Sequence, residues 1–318
     1  MNSHWKIALA MVLMVGLAGL VSCRTVLGIG EGEAFATPEA AGNALAGALR
    51  AGDPEAIKRV LGDAADPLLS SGDPVVDAQQ RQRFERLYEE QSVWSSWGEG
   101  MAVLEIGANQ WPFPIPLLDG DRGWRFDTAV GTEEILNRQV GRNELNTLQA
   151  CLAFVDAQRD YRALNPQGAA APEYARFILS EEGKKDGLYW PTAPGEAASP
   201  LGPIYAAARS AGYSPTRGGG KPFQGYLFRI LDGQGPAAPG GAYDYMEGDT
   251  MQKGFALLAW PAKYGSSGVM TFLVNQLGLI YEKDLGPETG KLAGSIELFD
   301  PDGSWSIVPS DDLVLPGG

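Results

Sequence analysis

The chain has 318 residues, of which 44% are apolar, enough for one large or two modest globular domains. Acidic residues outnumber basic residues by 39 to 25, and no basic run is longer than Lys184-Lys185. Nucleic acids and anionic lipid headgroups are therefore not expected as partners, because binding to phosphate groups relies on clustered lysine and arginine.

The first 23 residues have the features of an export signal. Ile7–Val21 is an apolar stretch of 15 residues, which is shorter than the roughly 20 residues that a membrane-spanning helix needs. It closes as Leu20-Val21-Ser22-Cys23. This ending resembles the lipobox of bacterial lipoproteins. The resemblance implies that residues 1–22 are a signal peptide and that Cys23 carries a diacylglycerol on its sulfur.

A lipidated Cys23 would anchor the protein to a membrane, since two or more acyl chains give lasting attachment. We therefore expect an exported lipoprotein that faces the periplasm. The outer membrane is favoured, because Arg24 stands where an aspartate would imply retention at the inner membrane. The alternative is an uncleaved anchor helix that contains an incidental buried cysteine.

The cysteine and histidine content limits the chemistry that is available. With Cys23 acylated, Cys151 has no disulfide partner and is expected to be a buried apolar side chain on a helix. Cleavage before Cys23 also removes His4, the only histidine. This excludes Ser-His-Asp and Cys-His nucleophiles and the commonest zinc ligand sets. We predict no metal and no cofactor.

The next predicted elements are a flexible, glycine-rich tether over residues 23–34 and two helix starts. Thr37-Pro38-Glu39 and Asp53-Pro54-Glu55 each combine an N-cap side chain, a proline at the first helical position and a carboxylate near the positive helix end. A third, polar helix is predicted over residues 77–90.

Strands are predicted after these helices. Met101–Ile106 alternates in polarity, and Trp111–Leu118 reads WPFPIPLL. Because a residue before proline is extended and proline has no N–H, this segment is predicted to be one straight edge strand. Gly123–Thr128 is predicted to return as the next strand. The apolar side chains that would share one face of the edge strand are Trp111, Phe113, Ile115 and Leu117.

The second half of the chain begins with a helix that Thr132 is predicted to cap. This helix would bend or break at Gly141 and restart at Asn143. Residues 165–222 are rich in Pro, Gly and Ala and are predicted to be loops with short helices. From Phe223 onward, four apolar runs predict strands, and the turns between the last three predict an antiparallel meander.

The predicted fold class is α+β. Residues 35–131, helices followed by a curved antiparallel sheet, resemble the cone-shaped domains of the nuclear-transport-factor-2-like class. The pairs Ala157-Gln158, Gly225-Tyr226 and Ile280-Tyr281 belong to a pattern that resembles the globular part of type IV pilins and pseudopilins. This second resemblance implies that residues 132–318 form a pilin-like domain, with a helix packed on an antiparallel meander.

Five longer segments point to one family: WPFPIPLL at 111–118, GWRFDT at 123–128, GRNEL at 141–145, GGAYDYM at 240–246 and GFALLAWPAKYGSSGVMTFLVNQ at 254–276. Through them the chain resembles a bacterial family known as domain of unknown function 2950. The resemblance implies an exported bacterial protein with no assigned activity.

The candidate site is a polar cluster of six residues: Arg125, Asp127, Glu133, Arg138, Arg142 and Glu144. Arg125 and Asp127 would project from the same face of one strand, about 7 Å apart. In one hypothesis they line a pocket in which Asp127 is a general base and an arginine binds an anion. In the other, which we favour, the cluster is an ion-pair network that joins the two domains.

Two other segments carry weaker signals. Asp300-Pro-Asp302-Gly303 lacks the remaining ligands of a calcium loop, so a simple turn is favoured. Tyr243-Asp244-Tyr245, followed by Glu247 and Asp249, is either an exposed aromatic and acidic loop that contacts a glycan or partner, or an ordinarily packed loop.

Taken together, these features favour a lipid-anchored cell-envelope protein that acts as a non-catalytic binding or scaffolding module. One alternative is a carboxylate-dependent envelope hydrolase with a site near Asp127. Another is a subunit associated with a pilus or a secretion system. The expected partners are the membrane, through the lipid anchor, and a periplasmic protein or a cell-wall component.

Overall fold

The computed structural model describes residues 32–193, 195–214, 216–217 and 220–309. The predicted signal peptide, Cys23 and most of the predicted tether lie outside these residues. Helices and antiparallel sheets are both present within them, so the α+β prediction is confirmed. None of the described helices is both long enough and apolar enough to cross a bilayer.

The first three α-helices begin where a threonine or an aspartate precedes a proline, and a 3-10 helix over Asp63–Leu68 lies between the second and the third. Thr37 Oγ1 accepts a hydrogen bond from Ala40 N at 3.2 Å, and Asp53 Oδ1 accepts one from Glu55 N at 3.0 Å. Both predicted starts are therefore confirmed. The third helix begins before residue 77, because Asp73 caps it. These helices are α1 (Pro38–Ala51), α2 (Pro54–Leu61) and α3 (Pro74–Glu90).

A five-stranded antiparallel sheet packs against these helices. The first core lies between them and includes the fully buried side chains of Leu45, Leu104, Ile115 and Phe126. The strands are β1 (Ser92–Ser96), β2 (Met101–Ile106), β3 (Trp111–Pro112), β4 (Leu117–Gly120) and β5 (Gly123–Phe126).

The segment over residues 111–118 is not one straight edge strand, and that prediction was wrong. It pairs with β2 only at its two ends, through β3 and β4. Residues 113–116 face only residues 103 and 104 of β2, and Pro114 and Pro116 have no N–H to donate, so the chain bulges there. Because β4 also pairs with β5, the segment ends inside the sheet.

The predicted common face of that segment is confirmed for three of its four members. Phe113, Ile115 and Leu117 are buried in the first core. Trp111 is 36% exposed and packs edge-on against Phe113, with the ring centroids 6.5 Å apart. Because the bulge adds an even number of residues, the apolar side chains before and after it still lie on the same face of the segment.

A helix of 37 residues, α4 (Thr128–Leu164), connects the two halves of the protein. It begins before the predicted cap Thr132, whose hydroxyl donates to Thr128 O at 2.8 Å. It also continues through Gly141, so the predicted break there was wrong. Asn143 is not a cap, because its side chain donates to Ser267 O at 2.8 Å. A glycine inside a helix destabilises it by only about 1 kcal/mol. The packing of the helix before and after the glycine stabilises it by more than that.

The segment after α4 is largely irregular, as predicted. It contains two short parallel strands and one short helix: β6 (Phe177–Leu179), β7 (Gly187–Tyr189) and α5 (Gly202–Ser210). Four further strands follow, the first of six residues and the others of two residues each: β8 (Tyr226–Leu231), β9 (Gly233–Gln234), β10 (Tyr243–Asp244) and β11 (Met246–Glu247).

The remaining elements complete a second five-stranded antiparallel sheet, ordered β16-β15-β14-β13-β8. Its strands β13, β14 and β15 follow one another along the chain and pair antiparallel in that order, so the predicted meander is confirmed. The elements are β12 (Thr250–Met251), β13 (Ala256–Pro261), β14 (Met270–Asn275), β15 (Ile280–Asp284), α6 (Thr289–Ser295) and β16 (Ser306–Ile307).

The second core lies between α4 and this sheet and includes Phe154, Tyr226, Phe255 and Phe272. Cys151 is fully buried in it on α4, as predicted. The boundary that we predicted between residues 131 and 132 falls inside α4. The first turns of this helix contact the first half, since Thr128 Oγ1 donates to Leu61 O at 2.7 Å.

Candidate functional site

The six residues of the predicted polar cluster extend from β5 through the first half of α4. A helix rises 1.5 Å per residue, so Glu144 lies about 24 Å along the axis from Thr128. Glu133 is exposed to solvent near the start of α4. The cluster is therefore divided between separate places on the protein, which are described in turn.

Arg125 and Asp127 flank Phe126, whose ring is fully buried in the first core. Both of their side chains are half-buried on the other face of the chain. Burial raises the pKa of Asp127, and the nearby backbone N–H of Val130 opposes this shift in part. Arg125 lines a surface cleft that Asp127 does not line.

Arg138 makes its contacts within its own half of the protein. Its Nε donates to Glu134 Oε1 at 2.6 Å, and its guanidinium lies 5.1 Å from the centroid of the Trp111 ring. Desolvation and the positive charges of Arg83 and Arg138 lower the pKa of Arg142. Arg138 and Arg142 therefore belong to a basic surface beside α3.

Glu144 connects α4 to the second sheet. Its Oε1 accepts hydrogen bonds from Val269 N at 2.9 Å and from Met270 N at 3.0 Å, and Tyr226 Oη lies 3.5 Å from it. Burial and the neighbouring Glu144 carboxylate raise the pKa of Tyr226 above its ordinary value. These hydrogen bonds hold α4 on the second sheet, and the junction network and the pocket both stay predictions.

Asp73 makes a second connection, which the sequence analysis missed. This fully buried carboxylate caps α3 through Oδ1, which accepts from Val75 N and Val76 N. Its Oδ2 accepts from Tyr213 Oη at 3.0 Å and from Gly225 N at 2.8 Å. The Asp-Pro pair predicts the cap, but the two partners on the other half lie 140 and 152 positions away.

A cleft of about 720 Å³ lies beside α2 and β5. Its acidic lining residues are Glu33, Glu55 and Asp63. The sequence analysis missed this site because its four basic residues occur as two pairs more than 60 positions apart. The basic lining residues are Lys58, Arg59, Arg122 and Arg125.

A second cleft of about 600 Å³ lies between β15 and α6. Its apolar lining includes Leu285, Leu292, Leu298 and Trp305. Among the residues that the structure describes, no group of three or more His, Cys, Asp or Glu side chains is arranged to hold a metal ion.

The two weaker sequence signals resolve differently. Tyr245 is fully buried and donates to Gln234 Oε1 at 3.0 Å, so the loop at 243–249 is not uniformly exposed. Tyr243, by contrast, is 36% exposed. A turn is present in the Asp300-Pro-Asp302-Gly303 segment, as predicted, because Trp305 N donates to Asp302 O at 3.0 Å. The Asp300 carboxylate accepts a hydrogen bond from Ala237 N at 2.7 Å.

Comparison with known proteins adds one finding. A family model described as "Protein of unknown function (DUF2950)" matches residues 32–308, which is most of the chain. No curated protein matches the chain. No solved structure matches it either, so the resemblances to nuclear-transport-factor-2-like domains and to pilins stay predictions. The family model covers both cores and the helix between them, and the chain belongs to the DUF2950 family.

Proposed function

We propose that the protein is a lipid-anchored component of the bacterial cell envelope that acts as a non-catalytic binding or scaffolding module. The proposed lipid anchor is supported by the sequence Leu20-Val21-Ser22-Cys23, which follows an apolar stretch. Cysteine supplies the nucleophilic sulfur that acylation needs. Cleavage at this point would leave a mature chain without histidine.

The contacts of the polar cluster support binding rather than catalysis. The carboxylate of Glu144 already accepts two backbone N–H groups, and Arg138 is engaged by Glu134 and Trp111. A carboxylate whose lone pairs are occupied in this way is a poor general base, because proton transfer would first require those bonds to break. Such residues stabilise a rigid body that presents its surfaces to a partner.

The anchor is tested by replacing Cys23 with serine. In cells fed an alkyne-bearing fatty acid, we expect the wild-type protein to be labelled and to sediment with membranes, and Cys23→Ser to lose the label. Cys151→Ser is the matched control, because Cys151 is buried in the second core, and it should keep the label. An unlabelled, uncut wild-type chain in an intact mass measurement would contradict the proposal.

The binding role is tested separately, by crosslinking intact envelopes and isolating the protein under denaturing conditions. We expect the same periplasmic protein or cell-wall fragment to be recovered in replicate experiments. Recovery of no reproducible partner would count against a scaffolding role, even if Cys23 is lipidated.

The second candidate is a carboxylate-dependent hydrolase, which the raised pKa of Asp127 favours. A half-buried carboxylate with a raised pKa is typical of a general acid or base. In this case Asp127→Asn would abolish turnover of a glycan or ester substrate while the far-UV circular dichroism stays unchanged. Absence of turnover by the wild-type protein across such substrates would remove this candidate.

A further inference from the structure

The cleft beside α2 concentrates basic side chains on an acidic protein. The chain carries a net charge of −14. Even so, four of the nine residues that line this cleft are lysine or arginine, against three acidic ones. An excess of positive charge at one concave place on an acidic molecule focuses anions there, since a cleft with low-dielectric walls concentrates the field.

The basic residues differ in how they are engaged. Lys58 Nζ binds the carboxylates of Asp63 and Asp66 at 3.0 and 2.8 Å. In contrast, the guanidinium groups of Arg59 and Arg122 form no hydrogen bond or ion pair with another described residue. Both side chains are exposed at the cleft. Lys58 is therefore held in place, whereas two guanidinium groups are available for a ligand.

The walls of the cleft are held by backbone contacts. Glu33 N donates to Arg59 O at 2.9 Å, so the chain entering the first half forms one wall. The Cβ of any side chain at Gly32 would come within 2.6 Å of Val60 O, so this close approach requires glycine. The walls of the cleft are thus formed by α2, by the segment that precedes α1 and by β5.

The mixed lining selects a class of ligand. Guanidinium groups bind phosphate oxygens through paired N–H donors. The carboxylates of Glu33 and Glu55 repel an extended polyanion but accept hydrogen bonds from hydroxyl groups. We infer that this cleft binds the phosphate ester of a small polyol, with the phosphate on Arg59 and Arg122 and the hydroxyl groups on the carboxylates.

Two sources could supply this chemistry: a soluble polyol phosphate, or the headgroup of an anionic glycerophospholipid. Gly32 lies nine residues after Cys23, and nine residues span at most about 30 Å. A lipid on Cys23 would therefore keep the cleft within reach of headgroups. The binding site itself does not depend on the anchor, whereas the access of headgroups to it rests on the proposed lipidation of Cys23.

The test uses the full protein in nanodiscs of phosphatidylcholine, titrated with sn-glycerol 3-phosphate in a calorimeter at low salt. We expect saturable binding that glycerol alone does not compete for. The double variant Arg59→Gln, Arg122→Gln should weaken it about 10-fold for each guanidinium lost. The control Arg86→Gln, Arg209→Gln removes the same charge from exposed arginines outside the cleft and should bind as the wild type does.

The same titration in nanodiscs with one-fifth phosphatidylglycerol identifies the source. A weakened apparent affinity for glycerol phosphate means that headgroups occupy the cleft, and an unchanged affinity assigns it to a soluble ester. Absence of saturable binding would overturn the inference, and so would equal weakening by the cleft variant and the control. None of these results depends on whether the protein has an enzymatic activity or a periplasmic partner.

Discussion

At the scale of single residues, the most consequential side chain is Asp73. It is a carboxylate without solvent exposure, and its two oxygens accept four hydrogen bonds from both halves of the protein. A buried charge is tolerated only when it is fully hydrogen-bonded. Its removal would leave Gly225 N–H and the Tyr213 hydroxyl without this acceptor.

We predict that Asp73→Ala lowers the free energy of unfolding by about 3 kcal/mol, through loss of a helix cap and of two buried acceptor contacts. Asp53→Ala is the matched control, since Asp53 also caps a helix before a proline but is exposed. It should cost about 1 kcal/mol. Denaturant unfolding measures both values, and equal losses would show that the contacts to Tyr213 and Gly225 contribute nothing.

Asp127 provides a prediction about pH. Burial raises its pKa in the folded protein above the ordinary value of 3.8, so the folded state binds its proton more tightly than the unfolded state. The stabilising contribution of this group is therefore fully present below that ordinary value, and it is lost as the pH rises through the folded pKa.

The matched variant for this prediction is Asp127→Asn, which has a similar shape and N-cap preference but does not ionise. We expect the stability of the wild type, relative to that of Asp127→Asn, to fall as the pH is raised from 3.5 to 7. Urea unfolding at a series of pH values measures this difference. A relative stability that rises with pH would mean that ionised Asp127 is stabilised where it lies.

At the scale of elements, α4 determines how the halves are arranged. Its first turns contact the first half, where Ile135 packs on the first core, and its later turns carry Phe154 and Tyr161 into the second core. Two of its glycines have opposite surroundings. A Cβ at Gly131 would lie 2.5 Å from Ile115 Cγ1 and 2.7 Å from Pro114 O, whereas a Cβ at Gly141 would meet nothing within 4 Å.

We therefore predict opposite effects of the same substitution at these two glycines. Gly141→Ala should raise the free energy of unfolding by about 0.5–1 kcal/mol, because alanine loses less backbone freedom in a helix. Gly131→Ala should lower it by about 1–3 kcal/mol, because the backbone at Pro114 must move. Thermal unfolding followed by circular dichroism tests both. A destabilised Gly141→Ala would indicate that the helix is bent at this position in solution.

At the scale of the whole molecule, two cores are joined by a continuous helix and by hydrogen bonds that cross between the halves. Besides Asp73, Lys263 Nζ donates to Ser70 O at 3.0 Å, and Gln139 Nε2 donates to Ser266 O at 3.1 Å. Elements that share a helix and several polar contacts tend to unfold together, because breaking one contact weakens the others.

We predict that the protein unfolds in a single calorimetric transition whose van't Hoff and calorimetric enthalpies agree. Glu144→Ala, which leaves two backbone N–H groups of the second half without their acceptor, should cost about 2 kcal/mol and broaden or divide the transition. Asn146→Ala, at an exposed position of the same helix, is the control. Two well-separated transitions in the wild type would show that the halves are independent.

Several elements of this fold could be predicted from short stretches of sequence. The starts of α1 and α2 depend on Thr37 and Asp53 and on the residues one turn beyond them. The meander depends on apolar runs and the turns between them, which are also local. Errors appeared where a distant contact outweighs a local preference, as at Gly141, where the helix continues.

What the sequence determined by itself is the α+β class, the first helix starts, the meander, the burial of Cys151 and the family, because each depends on neighbouring residues or on a long matched pattern. Only the tertiary structure decided which polar residues meet. Glu144 reaches Val269, and Asp73 reaches Gly225, across more than 120 positions. Arg59 and Arg122 line one cleft for the same reason. The sequence lists the polar side chains, but these side chains come close to one another only when the cores form and bring distant segments together.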